Sequence, residues 1–278
     1  MVTLIKAPAV FGPFILCSLL AGCDVDSDAG VDQESASTLE VRMQTSAPES
    51  KVVTDAVSEE SLVKSVVPLA QLVEDTVDLL EPLTFTVVTY NVENLFDADG
   101  VAMFDDYKVD AGYTPRKLLT KLQAITNVLK SVDDGDTPEI VLFQELEADF
   151  TPESTVEDYD AFLEMHSDTT VANMLDTEWS NDYAGYPASA WLLKALADEG
   201  LTGYHVVTAE YRGRGLGSAH TNAVFSTFPI ISHQAHPLVL ARDIIEAEIE
   251  IEGQSLFVYV NHWKSGASNR NLEPVRVE

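Results

Sequence analysis

The sequence predicts a layered α/β domain over residues 83–278, on three observations. Leu83 to Tyr90 has the Val, Thr, Phe and Tyr content of a core strand, a helical repeat starts near Pro115, and a second apolar run, Ile140-Val141-Leu142-Phe143, follows it. Strand, crossover helix and strand make up the unit from which helix-covered sheets are built. At 278 residues and 46% hydrophobic composition, the chain carries enough apolar surface to fill such a core.

Ahead of the domain, Lys6 gives a positive start and Val10 to Leu20 is an apolar run too short to cross a bilayer. It ends in Leu20-Ala21-Gly22-Cys23, which resembles a bacterial lipobox, with small residues before the cysteine that receives the lipid. Residues 1–22 are read as a lipoprotein signal peptide, with an ordinary signal peptide as the alternative. The lipoprotein reading implies an exported protein anchored through Cys23 to the periplasmic face of a membrane or to the cell surface. Cleavage would remove Cys17 and lipidation would consume Cys23, leaving no free thiol in an oxidising compartment. Two cysteines without a C-x-x-C pair exclude a zinc finger or a disulfide framework.

Residues 23–82 read as an acidic tether. Asp24 to about Ser50 has no apolar period. From Val52 to Leu80 apolar residues such as Val63, Val66, Leu69 and Val73 appear among acids, as either a helix on the domain or further linker, and Pro82 ends the stretch.

Within the domain, Thr114 is a helix N-cap with Pro115 in the first turn. Leu118, Leu122, Ile125, Leu129 and Val132 recur at three- and four-residue spacing, the stripe of a helix lying on a sheet. Thr151 to Gly185 is an acidic segment with helical pieces. His166 within it reads as an exposed surface residue, with metal ligation as the alternative. Pro187 to Glu199 is a second helix stopped by Gly200, and Tyr204 to Ala209 is a strand. A further strand spans Asn222 to Ile230, and Ile244 to Glu252 turns at Gly253-Gln254 into Leu256 to Val260 as a hairpin.

Polar groups collect where these strands end. Asn91, Glu93, Asn94 and Asp97 follow the first, Gln144-Glu145 the second, and Asn261-His262-Trp263-Lys264-Ser265 the last. Such residues form turns, and they also form sites, because ligands bind outside strand ends. Glu210 to His220 places Arg212 and Arg214 among three glycines, either a loop that holds a phosphate or a flexible hairpin.

Taken in order, Y-N-V-E-N-L-F from Tyr90, F-Q-E-L-E from Phe143, N-A-V-F-S-x-F-P-I from Asn222 and V-N-H-W-K-S from Val260 resemble the endonuclease/exonuclease/phosphatase superfamily of DNase I-like phosphoesterases. The resemblance implies a layered α/β sandwich of two packed mixed β-sheets flanked by helices. It also implies a Mg2+-dependent phosphoesterase, with Mn2+ or Ca2+ as substitutes: a nuclease first, with phospholipid or phosphomonoester hydrolysis as alternatives. By position, Asn91 orients metal-bound water and phosphate, Glu145 binds the metal with Asn91, and His262 assists at the phosphate. Arg212 and Lys264 are phosphate contacts, and Asn222 lines the cleft. The implied partners are a nucleic acid or phospholipid substrate and a membrane reached through Cys23, with no protein partner.

Two features qualify the resemblance. The family's later G-D-x-N and S-D-H segments do not occur: Gly135-Asp136 precedes the second strand and no Asp-His pair exists. The domain at 83–278 is therefore expected to be partial, incomplete at the C-terminus, with an inactive phosphate-binding lipoprotein as the competing expectation. The net charge of -30 repels polyanions and argues against tight non-specific nucleic-acid binding, although bound divalent cations reverse the local sign.

Overall fold

The computed structural model describes residues 84–132, 136–148, 156–209, 219–238 and 242–262, together with three short strands near the start of the chain. Those are β1 (Val2–Pro8), β2 (Phe14–Leu20) and β3 (Ser37–Thr38). Cys23, the rest of the tether, the Arg212 loop and Lys264 lie outside the described residues.

The domain continues with β4 (Thr84–Leu95), α1 (Pro115–Lys130), β5 (Ile140–Glu147), α2 (Tyr159–Met165), α3 (Val171–Met174), α4 (Asn181–Ala184) and α5 (Ala188–Asp198). Then come β6 (His205–Thr208), β7 (His220–Ser226), β8 (Ile230–His236), β9 (Ile244–Ile251) and β10 (Gln254–His262). One sheet has the order β3-β1-β4-β5-β7-β6, the other β2-β10-β9-β8. Both are mixed, and they pack face to face with the helices on the outer side of the first, the expected sandwich.

Strand alternation builds the two layers. Val88, Val141, Phe143 and Phe225 point to the helices, where they meet Leu118, Leu122, Ile125 and Leu129 of α1 and Trp191 of α5. Val87, Ile140, Leu142 and Val224 point the other way, against Ile245, Ile249, Val258 and Val260 of the second sheet. Burial on both faces explains why β4 and β5 read as continuous apolar runs. The α1 start is as expected, with the Thr114 hydroxyl accepting the Lys117 N–H. The β9–β10 turn places Glu252 at φ 50 and Gly253 at φ 74, the left-handed pair of a two-residue hairpin.

Several expectations need correction. The predicted strand from Asn222 to Ile230 is two strands, β7 and β8, and β8 was hidden because its middle residues face water and show no apolar alternation. β4 runs on to Leu95 instead of ending at Tyr90. His166 is buried: its Nε2 lies 2.8 Å from the Tyr186 hydroxyl and its ring packs against Phe162 and Tyr183. Aromatic residues dispersed through an acidic segment collapse around it, which no local periodicity announces.

The stretch that reads as a leader is drawn into both sheets. β1 runs antiparallel along β4, from Val2 opposite Tyr90 to Pro8 opposite Thr84. β2 runs parallel to β10, from Phe14 opposite Leu256 to Leu20 opposite His262.

Candidate active site

The site begins with an extra residue in β5. Phe143 pairs with Ala223 and Leu146 with Thr221, so three steps along β5 match two along β7. That is a β-bulge at Gln144-Glu145, a device that bends a strand and re-aims a side chain. On the other side Asn91 pairs with Gln144 and Leu95 with Leu146, so four steps of β4 face two of β5. The surplus is absorbed by left-handed backbone: φ is 54 at Glu93, 67 at Asn94 and 66 at Glu145. Each such residue costs about 1–2 kcal/mol without glycine, and strain of this kind concentrates at functional sites.

Hydrogen bonds hold the strained turn. The Asn91 Oδ1 accepts the Glu93 N–H at 2.8 Å, and Glu145 Oε2 accepts the Asn94 N–H at 3.1 Å. Lys121 reaches from α1 to the Glu93 carbonyl at 2.9 Å. The second sheet supplies the opposite wall. Leu256, Val258 and Val260 face the space between the sheets, and His262 follows the same alternation, so its Nε2 stands 3.4 Å from Glu145 Oε1.

Behind this pair, His220 Nε2 meets Asn94 Oδ1 at 2.6 Å and its Nδ1 meets an Arg242 Nη2 at 3.3 Å. Burial, then Arg242, holds the His262 imidazole down to about 4, and burial, then Arg242 and His262, holds His220 down to about 3. Both rings are therefore neutral at physiological pH. Burial also lowers Arg242, against the pull of Glu145, and Lys121, against the pull of Glu93 and then Glu145.

Of the residues the sequence singled out, Glu145 and His262 meet. Asn91 stands opposite Gln144 in the ladder, the residue before Glu145, with its side-chain oxygen on the Glu93 N–H. Asn222, expected on the cleft wall, is wholly buried, and its amide donates to the carbonyls of Asp243 and Val260, tying the sheets together. Asn94, His220 and Arg242 were missed as individual site residues. Asn94 sat inside the quoted N-x-x-N cluster, but Arg242 has no local signal, since only the packing of two sheets brings it here.

Among the described residues no three His, Cys, Asp or Glu side chains converge as a metal cluster. Glu145 supplies one carboxylate, and Asn91, opposite the neighbouring Gln144, supplies an amide oxygen that also accepts the Glu93 N–H. Mg2+ accepts such a set, because it retains waters and takes one or two carboxylates together with substrate phosphate. A separate cleft of about 400 Å³, lined by Lys6, Thr86, Asp136 and Glu139 among others, opens at the far end of β4 and holds no histidine.

No family profile matches the chain, and no curated protein matches it. Among solved structures, the chain is similar to an endonuclease/exonuclease/phosphatase family protein from Leptotrichia buccalis C-1013-b, at 13% identity and a TM-score of 0.40 over 66% of this chain and 55% of that one. It is also similar to SmcL, at 15% identity and a TM-score of 0.30 over 64% of this chain and 48% of that one. The chain thus spans about half the length of the solved structures it matches. Overlaps this shallow assign no activity, and the functional reading rests on the side chains.

Proposed function

We propose that the mouth formed by Glu145, Asn91 and His262 takes a divalent cation and a phosphate ester, and that the protein is a metal-dependent phosphoesterase. The observation that supports this reading is the Glu145–His262 contact at 3.4 Å, made by a carboxylate re-aimed by a bulge and a histidine from the other sheet. Glu145, with Asn91, would hold Mg2+, or Mn2+ or Ca2+ in its place. When bound, such an ion supplies positive charge to phosphate oxygens.

The chain's own groups then have defined tasks. Glu145 presents Oε1 to His262 Nε2 while the Asn94 N–H restrains Oε2. His262, neutral through burial, can take up or give a proton at Nε2, and a phosphate dianion beside it would raise its affinity for that proton. Arg212 and Lys264 are proposed as further phosphate contacts, and Cys23 as the lipidation site of an exported, membrane-tethered protein. Nucleic acid is the first substrate class, with phospholipid the alternative.

A second reading is phosphate binding without turnover. Assays with Mg2+ against DNA, RNA and bis-nitrophenyl phosphate separate the two. Metal-dependent turnover lost in Glu145→Ala supports the phosphoesterase, whereas phosphate binding with no turnover on any substrate supports the second reading.

A further inference from the structure

We infer that Arg242 and His220 are a positioning pair that fixes the Glu145 carboxylate through Asn94, linking the second sheet to the strained end of β4. The inference deepens the phosphoesterase reading by naming what holds its principal carboxylate in place.

The chain of contacts can be followed atom by atom. A guanidinium only donates, so Arg242 Nη2 at 3.3 Å makes His220 Nδ1 the acceptor. The imidazole proton then sits on Nε2 and is donated to Asn94 Oδ1 at 2.6 Å. Asn94 is left-handed at φ 67, and its N–H donates to Glu145 Oε2 at 3.1 Å. One fixed tautomer thus determines which way the Asn94 amide faces and secures the backbone that grips Glu145.

Packing removes the ring's remaining freedom. His220 is 5% exposed, and the rings of Phe96 and Phe104 approach it edge-on at 5.6 Å and 5.2 Å. Arg242 lies two residues before β9, whereas His220 opens β7 and Asn94 is next to last in β4, so the pair braces the mouth across both sheets. Arg242 and His220 reach Glu145 through Asn94, which makes them positioning residues.

The test uses the full chain, with 15N-labelled histidine observed by NMR near neutral pH and Mn2+ affinity measured by titration calorimetry. His220 is expected as a single Nε2–H tautomer, and Arg242→Met is expected to release it into a mixture. His220→Ala should weaken Mn2+ binding about 10- to 100-fold, and His220→Gln, which restores an N–H donor, should recover most of that loss. An Nδ1–H or mixed tautomer in the unaltered chain overturns the inference, as does Mn2+ affinity unchanged in a folded His220→Ala. Failure of the unaltered chain to bind Mn2+ overturns the metal-dependent reading instead, while the tautomer and its response to Arg242→Met still decide the positioning pair.

Discussion

His262 Nε2 and Glu145 Oε1 stand 3.4 Å apart, joining the last residue of β10 to the bulge of β5 across the interface of two sheets. If His262 handles a proton during ester hydrolysis, His262→Gln should lower kcat about 10²- to 10⁴-fold and leave KM within a few-fold. Steady-state kinetics on bis-nitrophenyl phosphate check this. An unchanged kcat would remove His262 from the chemistry.

Acid should destabilise the fold through the same histidines. Their folded pKa values, about 3 for His220 and about 4 for His262, lie below the unfolded value of 6.5. The unfolded chain therefore binds more protons, and stability falls as pH drops below 6.5 and levels off near the folded values. Urea unfolding of His262→Gln between neutral pH and pH about 4 should show a shallower loss than the unaltered chain, by up to about 1.4 kcal/mol per pH unit.

Asp97 works in the opposite direction. It is 4% exposed, its N–H donates to Glu147 Oε2 at 2.9 Å, and burial followed by the nearby Glu147 charge raises its pKa. A raised carboxyl favours the fold when protonated, and this contribution disappears as pH rises through its folded value. Asp97→Asn should therefore gain more stability relative to the unaltered chain at pH 8 than at pH 4. Equal differences at both pH values would contradict the assignment.

Glu93 is exposed, with φ 54, and is a position where glycine should relieve strain. Glu93→Gly is expected to stabilise by about 0.5–1 kcal/mol, read as a melting temperature about 2–4 °C higher. A lower melting temperature would show that the left-handed turn is not strained by its side chain.

The two strands formed by the leader-like stretch cover the outer edges of β4 and β10. Removing residues 1–22, the same segment that cleavage before Cys23 would remove, should uncover both edges and promote self-association, measurable by light scattering against the full chain. Equal monodispersity would show that those edges need no such cover.

Much of this architecture was legible in the sequence because β4, β5, α1 and the β9–β10 hairpin are local patterns: apolar runs, a helical stripe, a cap and a two-residue turn. Glu145 and His262 stood out because each ends such a run. β8 was missed because its outward residues carry no apolar alternation, and His166 was misplaced because its aromatic surroundings come from residues spread over two short helices and a turn. Arg242 and His220 acquire meaning only when β9, β7 and β4 meet, a relation that no window of sequence contains.

Paramagnetic broadening by Mn2+ in the 15N-histidine spectrum locates the cation, since the chain's six histidines report from distinct places. The His262 ring signal should vanish first, followed by His220, while His233 and His236 on β8 persist, and Glu145→Gln should abolish the effect. Broadening that begins at His233 or His236, or that is unchanged in Glu145→Gln, would place the cation elsewhere and rule out Glu145 as its ligand.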